Sequence, residues 1–125
     1  MPDRSLKAVV EQLKAVAHPL RLRVLGLLAG GELCVCQVAE VLQVPVSSVS
    51  EALRELRRAG FVVERKDGRW VHVSLAPDRT PLVEALAQAA AELPEATEDR
   101  SRVLAVRGLG VPAVCQKQQK GGSDD

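Results

Sequence analysis

The chain has 125 residues, 46% of them hydrophobic and 26% charged, with a formal net charge of +1 and three cysteines. This composition is typical of one folded domain and excludes a disordered chain, and no apolar run approaches the ~20 residues that a membrane span requires. The amino terminus lacks the charged and apolar regions of a secretion signal. We therefore expect a cytoplasmic protein with no membrane partner, whose cysteines stay reduced and serve chemistry rather than structural disulfides.

Apolar residues at helical spacing predict four consecutive helices in the first half of the chain. The predicted helices run from Leu6 to Val16, from Pro19 to a stop at Gly30-Gly31, from Val35 to Leu42 and from Val46 to a stop at Gly60. For the fourth helix, Ser48 with Glu51 resembles a capping box and offers an alternative start. The second begins on a proline, which fits the first turn of a helix, and ends at a pair of glycines. Only a few residues separate the third and fourth helices, which is the spacing of a helix-turn-helix.

Beyond Gly60 the apolar period changes from 3.6 to 2, which predicts a β-hairpin. Its strands are residues 61–65 and 70–75, and Asp67-Gly68 between them is a strong hairpin signal. A fifth helix is expected from Thr80-Pro81 onwards. The predicted fold is therefore mainly α with a β-hairpin wing, an α+β winged helix-turn-helix of four helices, two strands and a final helix.

The predicted winged-helix domain covers residues 1–93. Residues 94–125 are mixed in charge and end in a polar run, so we expect them to form a flexible tail that carries Cys115.

Basic residues concentrate on the fourth helix and the hairpin. Between Arg54 and Arg69 six basic residues stand against three acidic ones, a local charge of +3 (six minus three) in a nearly balanced chain. A basic second helix with small hydroxyls at its start suits the major groove of double-stranded DNA, and a basic hairpin suits the flanking phosphates. The candidate DNA-binding residues are Ser47, Ser48, Ser50, Arg54, Arg57, Arg65, Lys66 and Arg69.

Cys34 and Cys36 flank Val35 at the start of the third helix. In an ideal helix, residues two positions apart point about 200° apart, so both sulfurs can share an ion only where the first turn is frayed. Binding would distort this turn and move the adjoining recognition helix. Helix N-termini favour thiolates, and thiolates prefer soft ions such as arsenite, antimonite, cadmium or lead.

The stretch from Leu13 to Leu75 resembles the ArsR/SmtB family of metal-responsive repressors. The matching segments are Ala17–Arg23, Glu32–Cys36, Val49-Ser50, Leu53–Arg57, Ala59–Val62 and Asp67–Val71. The resemblance implies a homodimer, joined through its first and last helices, that binds a partly palindromic operator and leaves it when metal binds. Glu-Leu-Cys-Val-Cys resembles the thiolate motif of the arsenic- and cadmium-sensing branch, so the expected inducer is arsenite or antimonite.

Two thiolates rarely complete such a site, and a third sulfur is needed. Arsenic sensors of the family often carry a cysteine three positions after the second, where this chain has Ala39. A flexible tail would bring Cys115 to Cys34 and Cys36 of the same or of the other subunit as the missing sulfur; the alternative is that Cys115 is an unengaged tail thiol. The predicted metal ligands are therefore Cys34, Cys36 and Cys115.

Other readings of the cysteines stay open. In one alternative the repressor responds to cadmium, lead or copper. In another it responds to oxidation, which forms a disulfide between Cys34 and Cys36 or between either of them and Cys115. An enzyme or metal carrier is disfavoured, because no acid or base pair stands near Cys34 and the basic hairpin would be unexplained. His72 alternates with apolar residues and is expected to face solvent or form a hydrogen bond rather than bind metal.

Overall fold

Residues 5–109, the part of the chain that the computed structural model describes, form seven helices and a three-stranded sheet. The helices are α1 Leu6–Val16, α2 Pro19–Leu28, α3 Val35–Leu42, α4 Val46–Arg58, α5 Pro81–Ala91, α6 Pro94–Ser101 and α7 Val103–Leu109, and the strands are β1 Leu33–Cys34, β2 Val62–Asp67 and β3 Trp70–Leu75. The predicted fold class is confirmed. None of the helices in this range has the length and apolar character that a membrane crossing requires.

Three helices begin where the sequence predicted, at residues whose side chains cap the backbone. Ser5, His18 and Thr80 each accept a hydrogen bond from a backbone N–H two or three residues later, at 3.1–3.2 Å. Pro19 and Pro81 follow two of these caps, in the first turn, where a missing N–H costs no hydrogen bond. These caps set the start of α1, α2 and α5.

Helices α3 and α4 form the predicted helix-turn-helix. The turn between them uses Gln43 in a left-handed conformation (φ 57°), and Pro45 is the N-cap of α4. One face of α4 is fully buried in the core through Val49, Leu53 and Leu56. The opposite face of α4 is therefore left to solvent.

The sheet contains one strand more than the sequence predicted. Strands β2 and β3 form the expected antiparallel hairpin, and β1 pairs antiparallel with the other edge of β3, giving the order β1-β3-β2. Leu33 lies opposite Val73 and Cys34 lies opposite His72. A two-residue strand is too short to show a period of two, which is why the pattern missed it. It attaches the segment before α3 to the wing.

The prediction of a flexible tail from residue 94 is wrong for residues 94–109, which form α6 and α7. Helix α6 packs on α2, and α7 packs on α3. The core domain therefore continues past the boundary expected after Leu93. Residues 110–125, with Cys115, lie outside the described residues.

Charged side chains hold α6 in place. Asp99 is 1% exposed, and its carboxylate accepts hydrogen bonds from Arg23 of α2 at 2.8 and 3.2 Å. Arg100 donates to the backbone carbonyls of Gly26 and Ala91 at 3.0 and 2.8 Å. The mixed charge that indicated a solvated tail thus belongs in part to buried hydrogen-bonding groups.

Candidate DNA interface and thiol site

The outer face of α4 is the candidate DNA-reading surface. Ser47, Ser50 and Arg54 are exposed on it, and Ser48 is half-buried. Small side chains at the start of the helix let its backbone approach base edges, and an arginine further along can bind phosphate or guanine. The structure gathers these four predicted residues on one helix, and their contact with DNA stays a prediction.

An ion pair joins α4 to the wing. Nη1 of Arg57 lies 2.7 Å from Oε1 of Glu64 on β2. Arg57 is therefore partly neutralised and held against the hairpin. Through this ion pair, the basic side chains of α4 and the basic side chains of the wing form one continuous surface.

The three basic residues predicted on the hairpin, Arg65, Lys66 and Arg69, are all exposed. The guanidinium carbon of Arg69 lies 5.0 Å from the centre of the Trp70 ring, which is a cation–π contact. The wing therefore presents cationic side chains to solvent beside an aromatic residue.

Arg65 forms an ion pair with Glu32 that the sequence analysis missed. Nε and Nη2 of Arg65 donate to the two carboxylate oxygens of Glu32 at 3.2 and 2.7 Å. The hydrogen bond from Arg65 lowers the pKa of Glu32 below its ordinary value, and the same hydrogen bond raises the pKa of Arg65. Nδ1 of His72 lies 3.9 Å from the same carboxylate. The two paired residues stand 33 positions apart, and no local pattern indicates such a contact.

Cys34 lies at the junction of β1 and α3. It is a free thiol, 1% exposed, and it is the N-cap residue of α3. Its backbone N–H donates to Oε1 of Gln37 at 2.9 Å. Because the thiol is covered, an ion reaches its sulfur only if this junction opens.

Cys36 lies in the first turn of α3, half-buried against the core, and is disulfide-bonded. The only other cysteine among residues 5–109, Cys34, is free, so the bond does not join the two cysteines of the motif. In this state one thiol is covered and the other is oxidised. A soft ion would fit the pair only after Cys36 is reduced and Cys34 is uncovered.

No third ligand stands beside this pair in the described part of the chain. Residues 5–109 contain no group of three or more His, Cys, Asp or Glu side chains that could hold a metal ion. The predicted third ligand, Cys115, lies outside the described residues.

Comparison with known proteins decides the family. The family described as "Bacterial regulatory protein, arsR family" matches residues 18–63. An uncharacterized HTH-type transcriptional regulator of Methanocaldococcus jannaschii, MJ1325, is 40% identical over 70 residues, which cover 55% of this chain and 79% of that protein. This chain belongs to the ArsR family.

Other proteins are similar in sequence or in structure. The putative arsenical resistance operon repressor ArsR of Halobacterium salinarum is 43% identical over 68 residues, 53% of each chain. The structure of reduced HlyU from Vibrio cholerae has a TM-score of 0.59 and 32% identity, covering 66% of this chain and 84% of that one. The chain spans about half the length of most curated relatives it matches, as with the halobacterial protein.

The ArsR-family match runs from the N-cap of α2 to the start of β2. It contains the helix-turn-helix and both cysteines of the motif. Helices α5, α6 and α7 lie beyond it. Membership of a family of regulatory proteins confirms the expectation that this chain is not an enzyme.

Proposed function

We propose that this chain is a DNA-binding transcriptional repressor with α4 as its recognition helix. The observation that carries the proposal is the 2.7 Å ion pair of Arg57 with Glu64, because it joins the exposed face of α4 to the wing. The serines and Arg54 of α4 would meet bases and phosphates in the major groove, and Lys66 of the wing would meet the flanking backbone. Operator DNA is the proposed partner.

We also propose that the repressor is a homodimer. On α1, Leu6, Val10 and Leu13 are 82%, 38% and 47% exposed and share one face at i, i+4 and i+7 spacing. An exposed apolar stripe of this kind marks an interaction site. A two-fold dimer would present two recognition helices to a partly palindromic operator.

The proposed inducer is a thiophilic metal(loid) ion, with arsenite or antimonite first and cadmium, lead or copper as alternatives. It would bind Cys34 and Cys36, with Cys115 as the third sulfur. The halobacterial relative, named an arsenical resistance operon repressor, supports this choice. Because Cys34 caps α3 and Cys36 lies in its first turn, an ion held by both would deform α3 and shift α4, which packs on it.

A thiol-redox switch is the second candidate, and the disulfide at Cys36 favours it. Formation of a disulfide releases two electrons and two protons from two thiols, which an oxidant such as hydrogen peroxide accepts. The constraint on the first turn of α3 would then come from a covalent bond at Cys36 rather than from an ion. In both candidates the signal enters the fold at the same helix.

The test is anisotropy-monitored binding to a labelled duplex taken from upstream of the chain's own gene. Under reducing conditions the complex is titrated with arsenite, antimonite, cadmium, lead, copper(I) and zinc, and without reductant it is titrated with hydrogen peroxide. Release by arsenite and antimonite alone supports the metalloid sensor, and release by peroxide alone supports the redox switch. Absence of binding to any upstream duplex would contradict the repressor function itself.

Cysteine variants locate the sensor. Cys34→Ser and Cys36→Ser should bind the operator with unchanged affinity and lose the response to the inducer, because serine keeps the shape but cannot supply a thiolate. Cys115→Ser, measured in parallel, shows whether the third sulfur is required. Normal release in all three variants would place the sensor elsewhere.

A further inference from the structure

Glu32 connects three elements that are distant in sequence. Its carboxylate accepts two hydrogen bonds from Arg65 of β2, at 3.2 and 2.7 Å, and its backbone carbonyl accepts one from Nη2 of Arg107 on α7, at 3.0 Å. It directly precedes β1, and it stands two residues before Cys34. Glu32 thus belongs to the segment of residues 32–36, called here the cysteine segment, and contacts both the wing and α7.

The backbone of Glu32 is hydrogen-bonded to α7. Nη1 of Arg102 donates to the carbonyl of Val41, near the C-terminal end of α3, at 3.2 Å. Arg107 donates to the carbonyl of Glu32, just before the N-terminal end of α3. Arg102, which directly precedes α7, and Arg107, near the C-terminal end of α7, therefore bracket α3. The backbone of Glu32 has a defined place before any ligand arrives.

The contact with Glu32 gives Arg65 one orientation. A free arginine on a hairpin samples many rotamers, and ordering it on DNA costs conformational entropy. Glu32 binds the Nε and Nη2 edge of the guanidinium and leaves the Nη1 edge for a phosphate oxygen. An arginine held in this way contacts the DNA backbone at a smaller entropic cost than a free one.

The same contact ties Arg65 to the thiol site. Cys34 is buried, is the N-cap residue of α3 and pairs in register with His72, so separation of β1 from β3 is one way to expose its sulfur. Glu32 lies on the segment that would then move, while Arg65 lies on β2, which keeps its own pairing with β3. Separation of β1 therefore withdraws the carboxylate from Arg65.

We propose that Glu32 positions Arg65 for contact with operator phosphate and transmits a change at Cys34 to the wing. The inference rests on the proposed repressor function and adds a second route from the thiol site to DNA. The first route runs from α3 to α4, and this one runs through the sheet. Glu32 is a positioning residue, because Arg65 is the group that touches DNA.

Trp70 provides a direct reporter, because it is the single tryptophan of the chain and lies at the start of β3 in the wing. The compound added to trigger the response, called the probe, is arsenite under reducing conditions. Hydrogen peroxide replaces it if only oxidation releases the wild-type protein from its operator. In the absence of DNA, the probe should change Trp70 fluorescence in the wild type. Glu32→Gln should lose most of that change, because the wing no longer follows the cysteine segment.

Glu64→Gln is the matched control for this response. It removes the same charge from a carboxylate that also pairs with an arginine beside the wing, but Glu64 lies on β2, outside the cysteine segment. For each variant, the operator affinity with the probe is divided by the operator affinity of the same variant without the probe. The probe should weaken operator binding by roughly 10- to 100-fold in the wild type and in Glu64→Gln, and by only a few-fold in Glu32→Gln.

A double-mutant cycle tests the positioning. Without the probe, Glu32→Gln should weaken operator binding several-fold in the wild-type background and have no effect in an Arg65→Gln background, because the two residues act as one unit. Glu32→Asp keeps the charge and should restore part of the affinity. Equal effects of Glu32→Gln in both backgrounds would overturn the positioning role.

The outcomes separate this inference from the repressor function. If the wild type binds and releases its operator but Glu32→Gln responds as Glu64→Gln does, the link is wrong and the repressor function stands. If the wild type fails to bind DNA or to respond to either probe, both are wrong. Circular dichroism checks folding, and if Glu32→Gln does not fold, loss of the Trp70 response in Arg65→Gln tests the same contact from the wing side.

Discussion

Cys34 lies directly opposite His72 in the register of β1 and β3, so the thiol segment and the wing belong to one sheet. Breaking this pairing would separate β1 from β3 without disturbing the hairpin of β2 and β3, which has its own six-residue register. A thiol event at Cys34 can therefore act on the wing as well as on α3.

Arg54→Ala should weaken binding to operator and to random duplex DNA alike and should lower the salt slope of binding by about one, because one phosphate contact is lost. Anisotropy at several salt concentrations measures both quantities. Lys7→Ala removes the same charge from α1, outside the helix-turn-helix and the wing, and is the control. Equal losses in the two variants would mean that α4 does not face DNA.

Replacing both Val10 and Leu13 of α1 by Glu should convert a dimer into a monomer, because charges are costly in an apolar interface. Sedimentation velocity measures the change. Val63→Glu on β2 places a charge on another exposed apolar residue, outside the first and last helices, and should leave the mass unchanged. A wild-type protein that sediments as a monomer would contradict the proposed dimer.

Asp99→Asn should lower the free energy of unfolding by about 1–3 kcal/mol, because Arg23 loses its carboxylate partner while remaining only one-third exposed. Urea denaturation measures the loss. Glu98→Gln breaks the exposed pair with Arg102 and should cost less than about 0.5 kcal/mol. Similar values for the two would show that α6 is not anchored through Asp99.

Gly26→Ala should destabilise the fold although alanine favours helices. A Cβ at this position would lie 2.6 Å from the carbonyl oxygen of Ala90 and 2.9 Å from Cβ of Ala96, so α5 and α6 would have to move. We expect a loss of about 1–3 kcal/mol in urea denaturation. Gly108→Ala meets nothing within 4 Å and should be neutral or stabilising by up to about 1 kcal/mol. Tolerance of both would contradict the close packing of α2 on α5 and α6.

Local patterns in the sequence were enough to predict the winged helix. The helix starts at Pro19 and Thr80-Pro81, the Asp67-Gly68 hairpin and the apolar spacing of the first four helices all act between residues a few positions apart. Such effects are visible in the sequence because neighbours in the chain produce them. The same holds for the placement of Cys34 and Cys36 at the start of α3.

Only the tertiary structure decided where the charged side chains of the chain find partners. Arg65 meets Glu32 across 33 positions, and Arg23 meets Asp99 across 76, which turns an expected loose segment into a helix packed on α2. Burial of Cys34 and the short strand β1 depend on the same long-range packing. The physical reason is that an ion pair or a two-residue strand has no period of its own. Its partner is determined only when the whole core has brought distant segments together.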